Sequence, residues 1–83
     1  MRKVKLYALS TCGWCRKTKA FLEAHGIDYE CQDVDLLTGT ARARVLEEVD
    51  RWNPQRSFPT LVVDEHKVVV GFNEDRLREV LGL

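Results

Sequence analysis

Val4-Lys5-Leu6-Tyr7-Ala8-Leu9-Ser10-Thr11-Cys12-Gly13-Trp14-Cys15 is the stretch that decides the fold. Val4, Leu6 and Tyr7 are β-prone, and residues 3 to 9 form an expected first strand. Ser10 and Thr11 interrupt it, and an amphipathic helical pattern follows from about Gly13 to His25. Trp14, Phe21 and Ala24, with Ala20 and Leu22 beside them, are expected to face the core, with Arg16, Lys17 and Lys19 on the polar side. Gly26 is a suitable residue to stop the helix. Ile27 to Val34 looks like a second strand, so the chain begins with a right-handed β-α-β unit.

Outward from this unit, Thr38 to Thr40 offer caps for a second helix from Ala41 to about Arg51, with Val45, Leu46 and Val49 on one side. Asn53-Pro54 ends it. Two β-branched runs, Thr60 to Val63 and Lys67 to Val70, flank Asp64-Glu65-His66 and imply an antiparallel hairpin. Gly71 to Asn73 turn the chain into a last helix, Glu74 to Leu81. The expected order is β-α-β-α-β-β-α, an α/β fold in a single domain over residues 1–83, without repeats or linkers.

Composition narrows the classes of function. The 83 residues are 45% hydrophobic and 31% charged, ordinary for a globular protein. Thirteen Lys and Arg balance thirteen Asp and Glu. With no net charge, nothing predicts a counterion-driven grip on nucleic acid or a membrane surface. No run approaches the roughly 18–20 apolar residues of a membrane span. Lys5 breaks the apolar N-terminal stretch before it reaches the length of a secretion signal. Neither end shows a lipidation signal, so a cytoplasmic location and a monomer are the expectations. Three cysteines are an odd number for a secreted disulfide scaffold and suit a reducing compartment.

Cys12 and Cys15 carry the chemistry. Thiolates, not thiols, attack disulfides, so a redox cysteine needs a lowered pKa and access to solvent. Cys12 falls where the strand ends and the helix begins, where free N–H groups and the helix dipole favour its anion. Arg16 and Lys17 add positive charge. Cys15 lies one turn further in, close enough to form an internal disulfide and better shielded, which makes it the resolving thiol. Half of a zinc site is the competing reading of a Cys-x-x-Cys, but it needs two further ligands. His25, Cys31 and His66 are scattered singly, and no metal is expected. Cys31 is read as a small buried hydrophobe, with a secondary redox thiol as its alternative. Trp14 either covers the sulfurs or joins the core.

With these residues in place, the chain resembles a glutaredoxin, or a small glutaredoxin-like redoxin of the thioredoxin superfamily, over nearly its whole length. Cys12-Gly13-Trp14-Cys15 is the first shared motif. Gln55-Arg56-Ser57-Phe58-Pro59 is similar to the family's Gln-Arg-Thr-Val-Pro, whose proline follows a cis bond. Gly71-Phe72-Asn73-Glu74 is similar to the Gly-x-Asp-Asp that opens the last helix. The resemblance implies a four-stranded mixed sheet flanked by helices. It also implies a dithiol oxidoreductase reducing protein or glutathione mixed disulfides, with no bound cofactor. Gln55, Phe58, Pro59, Asn73 and Glu74 would line the substrate or glutathione groove, with a peptide on the Phe58 backbone and a carboxylate at Asn73. The electron donor would be glutathione as co-substrate or a dedicated reductase. Leu9 and Ser10 stand where many glutaredoxins carry Lys and Pro, leaving Arg56 or Arg16 to supply a cation. Val70-Gly71 replaces a Gly-Gly. The alternative function is a glutathione-dependent carrier of an iron–sulfur cluster held between two subunits.

Overall fold

A computed structural model describes residues 3–83. Strand β1 (Val4–Ala8) leads into helix α1 (Gly13–Ala24), then β2 (Glu30–Asp33), a 3-10 turn over Val34–Leu36, and helix α2 (Gly39–Trp52). Strands β3 (Thr60–Val63) and β4 (Lys67–Val70) form the hairpin, and α3 (Glu74–Leu81) closes the chain. The order in the sheet is β2-β1-β3-β4, with β1 and β2 parallel and the other neighbours antiparallel. This is the four-stranded mixed sheet with three helices that the resemblance implied.

Alternation along the strands sorts side chains between two faces. Val4, Leu6, Ala8, Leu61, Val63 and Val69 join Cys15, Phe21 and Leu22 of α1 and Leu77, Val80 and Leu81 of α3 in one cluster. Tyr7 and Val62 point the other way, to Val45 and Val49 of α2 and to Val34. Every residue of β3 is buried, as expected of a central strand covered on both sides. Asp64 and Glu65 both adopt positive φ at the hairpin tip, the twist that a tight turn between such strands needs.

Three local expectations differ from what forms. The second strand starts at Glu30, not Ile27, because the Ile27 N–H is used in closing α1. Gly26, at φ 65°, lets its own N–H reach Glu23 O (3.1 Å) while Ile27 N reaches Leu22 O (2.9 Å). Helix α2 starts at Gly39, two residues ahead of Ala41, with Thr38 as its cap residue by position though its side chain makes no capping bond. The buried face of α1 consists of Cys15, Thr18, Phe21 and Leu22, while Trp14, Ala20 and Ala24 are exposed. Thr18 occupies the centre of that face because its hydroxyl donates to Trp14 O (2.9 Å) and so needs no water.

Candidate active site

Register places four connections at one end of the sheet. Ala8 pairs with Asp33, Tyr7 with Thr60, and Thr60 with Val70. The segments leaving these residues are 9–12, 34–38, 53–59 and 71–73. Cys12, Phe58 and Phe72 accordingly pack against the same core cluster.

Cys12 is the cap residue of α1, with extended φ/ψ and a backbone N–H donated to Leu9 O (3.1 Å). Its Sγ accepts from the Cys15 N–H at 3.3 Å, as a capping oxygen would. No acidic side chain stands in the first turn to oppose a negative charge. The Cys15 thiol, donating to it, is the largest influence holding Cys12 below the ordinary thiol value. The amides of Cys15 and Trp14 and the charge of Arg16 act the same way. Cys15 is 0% exposed, and burial pushes its thiol up to about 12. Leu9 N donates to its Sγ at 3.4 Å. The two sulfurs are thus shifted in opposite directions, the outer toward its anion and the inner toward its protonated form.

At the same end of the sheet, packed on the same core cluster, stands the Phe58–Pro59 bond, which is cis. Pro59 is buried and its carbonyl accepts from Gly71 N (2.8 Å), tying this loop to the segment that opens α3. Asn73 caps α3, its Oδ1 accepting from Arg76 N at 3.1 Å. Trp14 stacks on Phe72 (centroids 6.3 Å, planes 21° apart), which links the first turn of α1 to the start of α3. Lys17 lies over the Trp14 ring at 4.7 Å. Gln55 sits exposed in the turn after α2, and Glu74 is exposed with Arg78 at 3.9 Å.

The cations divide differently from the sequence expectation. Arg56 forks onto Asp50 with Nε and Nη2 bonds of 2.7 and 2.8 Å, so it is committed to α2. Arg16 is the positive charge that acts on Cys12. Asp35 carried no role in the sequence reading, yet its carboxylate takes both the N–H and the hydroxyl of Ser10. That carboxylate therefore stands against the loop where many glutaredoxins have lysine and proline. The only sequence hint was Ser10 itself, which offers a hydroxyl in place of a proline ring. Cys31 is half-buried on the α1 side, and burial raises its thiol. His25, which had no partner in the sequence reading, rests on the Phe21 ring at 4.4 Å.

A cavity of about 340 Å³ lies on the face of the sheet covered by α2, lined by Lys3, Lys5, Tyr7, Glu48, Arg51, Trp52, Val62 and Glu65. Glu48 accepts from Lys5 (2.9 Å) and from the Tyr7 hydroxyl (2.8 Å), and Lys3 pairs with Glu65 (2.9 Å). Its charges largely satisfy one another, and neither Cys12 nor Cys15 lines it, both packing with the cluster on the other face.

Alkylation separates the three thiols. Only the anion reacts, so the rate at Cys12 is expected to rise with pH through a midpoint below 9.0, the ordinary value. Cys15 and Cys31, both shifted upward, are expected to lag at every pH up to 9. Site-resolved mass spectrometry after brief iodoacetamide exposure checks this. Faster labelling at Cys31 than at Cys12 would contradict it.

The glutaredoxin family model matches residues 4–68. The chain is 30% identical over 78 residues to the glutaredoxin-like 8.6 kDa protein of the rubredoxin operon of Clostridium pasteurianum, covering 94% of this chain and 96% of that protein. Among solved structures, methanoredoxin of Methanosarcina acetivorans superposes with a TM-score of 0.93 at 44% identity, covering 98% of this chain and 85% of that one. A glutaredoxin of Methanosarcina mazei Go1 gives 0.91 at 47% identity, covering 98% and 79%. With the paired cysteines at a helix start and the cis-proline loop beside them, these matches show that the chain belongs to the glutaredoxin family.

Proposed function

We propose that this protein is a dithiol thiol–disulfide oxidoreductase that reduces disulfides in polypeptides, with Cys12 as nucleophile and Cys15 as resolving thiol. The observation that carries the reading is the opposed tuning of the two sulfurs. Cys12 is lowered at the start of α1, and Cys15 is buried beneath it and raised to about 12. In the first step the Cys12 thiolate attacks one substrate sulfur, and the other leaves as a thiolate that takes a proton from water. In the second, Cys15 gives up its proton and attacks Cys12 in the mixed disulfide, releasing the second thiol. The protein ends with a Cys12–Cys15 disulfide, having passed two electrons. An external thiol reductant restores the dithiol.

Two features support a polypeptide as substrate. Trp14 (57% exposed), Leu36 (68%) and Val70 (47%) leave an apolar rim at the end of the sheet where Cys12 lies. Among the described residues, the Phe58 N–H and C=O have no backbone partner, which leaves them available to an extended chain. For glutathione, Asn73 and the start of α3 supply a place for one carboxylate. Of the two cations offered for the second carboxylate, Arg56 is held by Asp50 and Arg16 acts on Cys12, while Asp35 stands at Ser10, so no dedicated cation is left for it among the described residues. A charge-assisted contact contributes about 1.5–3 kcal/mol. Reduction driven by glutathione and glutathione reductase is therefore expected to run roughly ten- to a hundredfold slower than reduction driven by a dithiol donor such as a thioredoxin-reductase couple. Running both assays on one polypeptide disulfide tests this. Absence of turnover in both would remove the oxidoreductase reading, and a faster glutathione-driven rate would reverse the donor assignment. The reading assumes a monomer in a reducing, cytoplasmic setting.

A further inference from the structure

We propose that Asn53 is a positioning residue that aims the Phe58 N–H at the substrate chain; this rests on the polypeptide-disulfide reading above. In the sequence Asn53 served only to end a helix. In the structure it is the C-cap residue of α2, with its N–H on Val49 O (2.6 Å), and the residue is 5% exposed. The buried amide nitrogen Nδ2 lies 3.0 Å from Ser57 O, 2.9 Å from Ser57 Oγ and 3.1 Å from Thr60 Oγ1. Thr60, fully buried on β3, donates its own hydroxyl to Ser57 O at 2.8 Å. The Ser57 carbonyl is thus held from two directions by groups that have no water to turn to.

The consequence follows from peptide geometry. The bond between Ser57 and Phe58 is trans, so its C=O and N–H point in opposite directions within one rigid plane. Drawing the Ser57 carbonyl inward to Asn53 and Thr60 turns the Phe58 N–H outward, away from the buried network. That N–H has no backbone acceptor among the described residues. Arg56 N on Asn53 O (2.9 Å) closes the intervening loop and keeps the carboxamide registered to it. Asn53 touches neither sulfur, so its effect is on where a peptide binds and not on how Cys12 ionises.

Asn53→Ala and the near-isosteric Thr60→Val test this with three measurements on the full chain: reduction of a polypeptide disulfide, reduction of bis(2-hydroxyethyl) disulfide, and the pH profile of Cys12 alkylation. The small disulfide has no peptide groups to pair with Phe58. Each variant is expected to raise KM for the polypeptide roughly three- to tenfold, the value of one hydrogen bond, with kcat little changed. The small-disulfide rate and the alkylation midpoint should stay within about twofold and within a few tenths of a pH unit. Parallel loss on both substrates, or an unchanged polypeptide KM in the folded Thr60→Val protein, overturns the inference while leaving the oxidoreductase reading intact. A wild-type protein that turns over neither disulfide overturns both.

Discussion

Cys12→Ser is expected to bring disulfide reduction down to the background without protein, and neither remaining cysteine to rescue it. A serine hydroxyl at the start of α1 still caps the helix but is not ionised at neutral pH, so the attacking anion is gone. Cys15 is the obvious substitute and is poorly suited. It is fully buried, and burial is the main cause of its thiol standing near 12. A thiol with that value is ionised to about one part in 10⁵ at pH 7, and no substrate sulfur reaches it without opening α1. Cys31 is half-buried and likewise raised. Cys15→Ser should behave differently. Cys12 still attacks, and with no resolving thiol the mixed disulfide accumulates, seen by intact mass as one covalently attached substrate per protein. Turnover then depends on an external monothiol. Equal loss in the two variants without a trapped adduct would show that the roles of nucleophile and resolving thiol have been assigned wrongly.

The contrast between the two cysteines was legible in the sequence because it depends on local geometry. A strand that ends at Ala8 and a helix that begins at Gly13 put Cys12 on the free N–H groups and Cys15 one turn inside, whatever the rest of the chain does. The phase of α1 was harder. Phe21 and Leu22 are on the buried face as expected, but Trp14, Ala20 and Ala24 are not, and the actual centre includes Thr18, a polar residue whose hydroxyl is satisfied inside its own helix. Trp14 at the first turn lies beyond the sheet that covers Cys15, Phe21 and Leu22, so it meets Phe72 and Lys17 instead. Pairings across the site were not legible at all. Asp35 with Ser10 and Asn53 with Ser57 and Thr60 depend on where separate loops meet, and no periodicity encodes that. Arg56 was available on paper as a cation for the groove. Its left-handed backbone (φ 52°) and the position of Asp50 on the last turns of α2 direct it elsewhere.

Leu61→Ala is expected to be the most damaging of the conservative core changes, and it separates folding from chemistry. Leu61 lies at the middle of β3, opposite Leu6 of β1 on one side and Val69 of β4 on the other. All three are buried on the face covered by α1 and α3. Removing its branched end leaves a hole between two helices and two neighbouring strands, held open by sheet hydrogen bonds that cannot shift to fill it. Such truncations cost about 2–5 kcal/mol, against a total of about 5–15 kcal/mol for a domain. At roughly 4–8 °C per kcal/mol for a chain of this size, the melting temperature should fall by at least about 10 °C. Val70→Ala, on the next strand but exposed, should change stability by no more than about 0.5 kcal/mol. Neither residue is among the groups that act on the Cys12 thiol, so at a temperature where the variant is folded the Cys12 alkylation midpoint should match wild type. Denaturant melts of both variants beside that midpoint decide the matter. A Leu61→Ala loss no larger than that of Val70→Ala would mean that this face of the sheet is not packed as described, and a shifted Cys12 midpoint would mean that the core and the thiol are coupled through α1.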